Sequence, residues 1–158
     1  MNLRKHDGFS LIELLIVVTI LGIIASIAIP NLLASRRAAN EGSAQQSLRT
    51  IGSCEAAYKF TYGNGAYADL PTLGQKVMTD SVLTTGTKSG YLFVATPIAG
   101  PPEQFWASAF PVTPNGVAST GSRRFAIAED GVLRSDTNLA AGAPPDEATV
   151  VAMPPSGN

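Results

Sequence analysis

Glu13 is the ionisable side chain whose setting most demands a partner. It stands at the front edge of residues 14–29, a run of sixteen that carries no charge and is almost wholly apolar. Five positions earlier lies Gly8, preceded by a short basic stub with Arg4, Lys5, His6 and Asp7. A carboxylate in the middle of a bilayer costs about 2.5–3.5 kcal/mol on insertion scales. An ordinary anchor or export signal gains nothing from it. The chemistry such an acid offers is charge pairing with a cation brought to it inside an apolar environment.

No other constellation in the chain supports catalysis. His6 is the single histidine, and it lies in the basic stub, so the rest of the chain has no imidazole for general-base or metal work. The serines lack a histidine partner and a Gly-x-Ser-x-Gly elbow. No phosphate-binding glycine loop, haem site or zinc spacing is present, and no cofactor is expected. Asp130, Asp136, Asp146 and Glu147 offer carboxylates for a calcium ion, but their spacing fits no EF-type loop and solvated turns are the expected role. Phe9, Tyr58, Phe60, Tyr62 and Tyr67 read as packing residues. The formal charge is −1, and −2 once Arg4, Lys5 and Asp7 are removed, with no basic stripe for a nucleic acid. Cys54 is the only cysteine, so no intramolecular disulfide can form. It falls on a helical stretch beside Ile51 and Tyr58, where a small buried hydrophobe is expected.

Two ordinary readings compete for the N-terminal residues. A secretory signal would use Arg4 and Lys5 as its basic region and Ser26-Ile27-Ala28 as its cleavage site, yet its apolar core usually runs about 7–15 residues without an acid. A plain anchor would use residues 11–29, about enough for a hydrocarbon core of ~30 Å. Neither accounts for Gly8, Phe9 and Glu13 together. Charge does not orient the segment, because Arg4 and Lys5 on one flank face Arg36 and Arg37 on the other.

The run Gly8-Phe9-Ser10-Leu11-Ile12-Glu13-Leu14-Leu15-Ile16-Val17-Val18, continuing to Ala28-Ile29-Pro30-Asn31, resembles the processing and methylation segment of type IV pilins and type II secretion pseudopilins. The resemblance is specific over residues 8–31 and fades along the helix beyond. It implies that a prepilin peptidase cuts after Gly8 on the cytoplasmic side and methylates the new amine of Phe9. It further implies that Glu13 pairs with the Phe9 amine of a neighbouring subunit during filament assembly. The partners implied are other copies of the chain, the peptidase, a pilus or secretion assembly platform and the inner membrane. The precursor would sit there with a cytoplasmic N-terminus and a periplasmic head. The chain lacks the cysteine pair that closes a C-terminal loop in many type IV pilins. It also lacks the Asp-Pro-Trp-Gly run of many major pseudopilins.

These residues need a long helix to position them. Helical spacing predicts one from Phe9 to near Tyr62, with a leader at 1–8, a membrane and assembly segment at 9–30 and an amphipathic continuation at 31–62. Gly22 and Pro30 weaken it. In related filaments the stretch between the matching glycine and proline can lose helical hydrogen bonding, while a simple kink at Pro30 is the alternative. Ala44, Leu48, Ile51, Cys54/Glu55, Tyr58 and Tyr62 form a narrow stripe for packing on a sheet. Arg36, Arg37, Glu41 and Arg49 are expected on a solvated or subunit-contact face.

Residues 63–158 read as an antiparallel β head. Leu70-Pro71 is expected to end any helix, with a short helical turn or two between Leu73 and Val82. Strands are expected over residues 91–96, 105–110 and 124–129, then 132–135 after the hairpin signal Asp130-Gly131. Pro97, Pro101, Pro102, Pro111 and Pro114 separate them. Residues 149–152 suggest an edge strand within a mobile tail. The fold class expected is α+β, a long N-terminal helix on a small antiparallel sheet. The Gly121-Ser122-Arg123-Arg124-Phe125 and Asp130-Gly131-Val132-Leu133-Arg134 stretches resemble pilin-like heads without a cysteine loop. The leading functional expectation is a polymerising structural subunit of a surface pilus. The alternatives are a pseudopilin acting in the periplasm and a membrane-tethered binding domain.

Overall fold

The computed structural model describes residues 9–157, so the leader expected at 1–8, Gly8 included, lies outside the described residues. Helix α1 runs Leu11–Thr61 and includes Pro30. It opens at Ser10, whose carbonyl accepts from the Leu14 N–H at 3.2 Å. The Glu13 carboxylate reaches back to the Ser10 N–H at 2.9 Å, one half of a capping box. The chain divides into two compact units at the Ser35–Arg36 boundary, and α1 contributes to both.

In the N-terminal unit two side-chain hydroxyls turn back on the helix. The hydroxyls of Thr19 and Ser26 bond back to the carbonyls of Leu15 and Ile23, each at 2.7 Å, so neither hydroxyl is left open. Pro30 supplies no N–H to the Ser26 carbonyl.

In the second unit, α1 packs on a five-stranded antiparallel meander in the order β1 (Thr87–Lys88), β2 (Tyr91–Ile98), β3 (Gln104–Pro111), β4 (Arg124–Ala128), β5 (Arg134–Asp136). Alternation decides the faces. Tyr91, Phe93, Ala95, Phe105, Ala107, Ala109, Phe125 and Ile127 turn toward Ala44, Leu48 and Ile51 of α1 to form the main core. Trp106, Ala126 and Ala128 turn to the opposite face, where Val150 and Met153 cover them. Asp130-Gly131 forms the β4–β5 turn, with Gly131 at φ +70° and Ala126 opposite Arg134.

Four expectations are corrected. Leu70-Pro71 begins a helix, α2 (Leu70–Lys76), because Asp69 caps the Thr72 N–H at 3.0 Å and a proline suits the first turn. It is followed by α3 (Ser81–Thr84), capped by Asp80. Residues 149–152 lie in α4 (Glu147–Ala152), started by Asp146, whose side chain accepts from the Thr149 N–H at 2.8 Å. The tail around it is folded down: the Ser135 N–H donates to the Pro154 carbonyl and the Ser156 N–H to the Leu133 carbonyl. Pro97 and Pro111 lie inside β2 and β3 rather than between them. Pro97 is tolerated because β1 pairs only with Tyr91 and Leu92, which leaves the far end of β2 an open edge.

Candidate assembly segment and the head behind it

The N-terminal segment presents an unbroken apolar surface. The large apolar side chains between Leu11 and Leu32 are 44–82% exposed, and Phe9 is 76% exposed. The helix is long and apolar enough here to cross a membrane. Such a surface is stable only in lipid or against other chains. Within it Glu13 is the sole charge. One carboxylate oxygen holds the Ser10 N–H, and the other has no partner among the described residues. Glu13 therefore keeps an open acceptor four residues after Phe9. Gly22 has open space around it, since an added Cβ would meet nothing within 4 Å. No packing among the described residues requires a glycine there.

The head's chemistry is structural. Glu41, expected on a solvated face, is buried, and this is a further correction. Its Oε1 accepts from the Ser122 N–H at 2.8 Å and from the Ser122 hydroxyl at 2.6 Å, and its Oε2 accepts from Arg123. Burial pulls its pKa up, but the Ser122 and Arg123 contacts outweigh this and hold the carboxyl below the usual range. A Cβ on Gly121 would overlap the Tyr91 hydroxyl, which donates to the Arg123 carbonyl at 2.8 Å. The Gly121-Ser122-Arg123 run thus fastens α1 to the sheet. Deeper in the stripe, Glu55 is 0% exposed and accepts only the Ala68 N–H, at 3.0 Å. Its other oxygen is buried without a partner, and burial, partly opposed by that bond, pushes its pKa up to about 7. Cys54 is half-buried against the core, and burial raises its thiol pKa.

Three of the four carboxylates considered for calcium are engaged elsewhere. Asp136 takes a two-pronged bond from Arg124 at 2.7 and 2.8 Å, and Asp130 pairs with Arg134. Asp146 caps α4. A cleft of about 420 Å³ opens beside α1, lined by Arg49, Tyr67, Phe105 and Glu129 among others. Two of its polar side chains are tied into one network, with Lys59 donating to Tyr67 at 2.9 Å and Tyr67 to Glu129 at 3.0 Å. The buried roles of Glu41 and Arg124 were missed from sequence. Their signal was an acid spaced three residues before Ala44 on the apolar stripe, and an arginine at an alternating strand position.

A membrane-length apolar helix with one acid near its start, continued into an α+β head, defines the class. The family model described as the prokaryotic N-terminal methylation motif matches residues 3–29. The chain is similar to the "Type IV wide pilus major component PilA4" of Thermus thermophilus, 56% identical over 39 residues, 25% of this chain and 30% of that one. It is similar to the "Type II secretion system core protein G" of Vibrio cholerae, 39% identical over 58 residues, 37% and 40% of the two chains. The "Type IV major pilin protein PilA" of Myxococcus xanthus is 37% identical over 54 residues, 34% and 24%. Through this segment the chain is similar to type IV pilins and to type II secretion core proteins. It spans 24–40% of the length of these three relatives. No solved structure matches it.

Proposed function

We propose that the chain is a prepilin: cleaved between Gly8 and Phe9 by a prepilin peptidase, methylated at the Phe9 amine, and polymerised through residues 9–30 into a type IV pilus-like filament. The observation that carries the reading is the open acceptor of Glu13 at the edge of an exposed apolar surface. A neighbour's Phe9 amine neutralises that acid as the apolar faces stack, and a desolvated charge that loses its partner is costly. Gly22 and Pro30 let residues 22–30 yield when the helix is packed among others. The precursor sits in the inner membrane with its head in the periplasm, and an assembly platform extracts it.

A pseudopilin is the second reading, favoured by the 58-residue match to a type II secretion core protein. The absence of an Asp-Pro-Trp-Gly run favours the pilin. Intact-mass analysis should show a mature chain beginning at a methylated Phe9, and an N-terminus at Ile29 would establish ordinary export processing instead. Glu13→Ala should leave membrane insertion intact and abolish or shorten filaments, counted by electron microscopy. Normal filaments from both Glu13→Ala and Glu13→Gln would remove the central argument. Antibody labelling separates the two readings, because filaments outside the cell indicate a pilus.

A further inference from the structure

Beyond its apolar segment, α1 leaves only cations free. Its acids there, Glu41 and Glu55, are both buried in the head and hydrogen-bonded by Ser122, Arg123 and Ala68. Lys59 is paired with Glu129. Arg36, Arg37 and Arg49 have no ion-pair partner among the described residues. For Arg37 this is notable, because Glu41 stands four residues on, where a helix normally pairs opposite charges. That acid is taken by Arg123 at 2.9 Å. The Nε of Arg37 is buried without an acceptor.

Arg36 and Arg37 also stand at a particular depth. Residues 11–30 rise ~30 Å along the helix, the thickness of a hydrocarbon core, and the arginines follow within two turns, just beyond Leu32 and Leu33. They would lie level with the headgroups, where long cationic side chains settle with their stems along the apolar edge. No Trp, Tyr or Phe occurs between Phe9 and Tyr58, so this boundary lacks the aromatic anchors that usually mark an interface. Guanidinium groups with free donors match phosphate oxygens in charge and geometry.

We infer that Arg36 and Arg37 bind the phosphate headgroups of anionic phospholipids at the head-side leaflet, fixing the depth of the unassembled subunit. The inference rests on the membrane-anchored reading above and adds a ligand to it. A lipid of net negative charge is favoured, because the flank is purely cationic and a zwitterionic headgroup brings a competing ammonium.

The test uses the full chain reconstituted in phosphatidylcholine vesicles containing phosphatidylglycerol, with co-purified lipid counted by native mass spectrometry. Phosphatidylglycerol should be enriched over its share of the bilayer. Arg36→Gln and Arg37→Gln should each reduce that enrichment about fivefold. The double Lys variant should retain most of it, and Arg49→Gln should leave it unchanged. Absence of enrichment, enrichment indifferent to Arg36→Gln and Arg37→Gln, or an equal loss in Arg49→Gln would each overturn the inference. A flank left free of lipid in this way would be open to an acidic protein surface instead. Flotation of the chain is scored separately. A chain that does not float with the vesicles overturns the anchored reading as well, whereas flotation without enrichment overturns the inference alone.

Discussion

At the scale of single residues, the head depends on charges that are satisfied rather than exposed. The Arg124 side chain is 5% exposed on β4, and three contacts hold it: both oxygens of Asp136 and the Gly142 carbonyl at 2.8 Å. The Asp136 carboxyl is held below its usual range by the same guanidinium, which keeps the pair ionised at neutral pH. Asp136→Ala would strand a buried cation. It should destabilise a soluble fragment beginning at Arg36 by about 3 kcal/mol, read as a lower urea midpoint. A loss under 1 kcal/mol would mean that water or Gly142 suffices for Arg124. Glu13 differs in that its second oxygen has no partner among the described residues, and the pairing proposed above would supply one.

At the scale of elements, the C-terminal segment does for this head what a covalent loop would do elsewhere. Val150 and Met153 seal the outer face of the sheet over Trp106, which is 7% exposed, and the tail backbone bonds to Leu133 and Ser135 beside β5. With Cys54 the only cysteine, this closure is entirely non-covalent. Val150→Asp buries a charge at its centre and should release the segment. Tryptophan emission should then shift to the red in the fragment while circular dichroism retains the helix and sheet. Unchanged emission would show that Trp106 is shielded by something other than α4. Reductant, by contrast, should leave the melting curve unaltered.

At the scale of the whole molecule, the two buried acids of α1 give the head opposite responses to pH. Glu55 has its pKa raised to about 7 by burial, so the folded state binds a proton that the unfolded chain has already released. Its contribution is fully present below the unfolded value near 4.5 and is lost as pH rises toward 7. A shift of that size corresponds to about 3 kcal/mol. The Glu41 pKa is shifted the other way, and Asp69, Asp80, Asp130 and Asp136 are lowered with it by their hydrogen bonds and cations. Their stabilisation is present above the unfolded carboxylate range and lost as pH falls through the folded values. Stability should therefore peak near pH 5, measured by urea unfolding from pH 3 to 8. Glu55→Gln, which still accepts from Ala68, should flatten the decline above pH 5 and leave the acid limb in place. Parallel profiles for the two proteins would assign the alkaline decline to another group.

The amino-acid sequence alone determined the features that rest on local periodicity and covalent fact. The apolar length behind Gly8 and Glu13, the helical stripe at Ala44, Leu48 and Ile51, the β3 and β4 alternation and the Asp130-Gly131 turn are each encoded within a few neighbouring residues. Tertiary structure decided what depends on distant partners. Residues 149–152 favour a strand by type, and only the aspartate cap at Asp146 together with burial of Val150 and Met153 over Trp106 makes them helical. Glu41 reads as a surface acid until the sheet brings Ser122 and Arg123, 81 and 82 residues away, to its oxygens. Taking Glu41 into the head also leaves Arg37 without the neighbour its spacing promised. The physical reason is long-range in each case: apolar burial fixes the helix at 147–152, and polar pairing fixes Glu41 and so frees Arg37. A buried polar group is stable only when its partners arrive with it, and those partners are set by the fold rather than by the adjacent sequence.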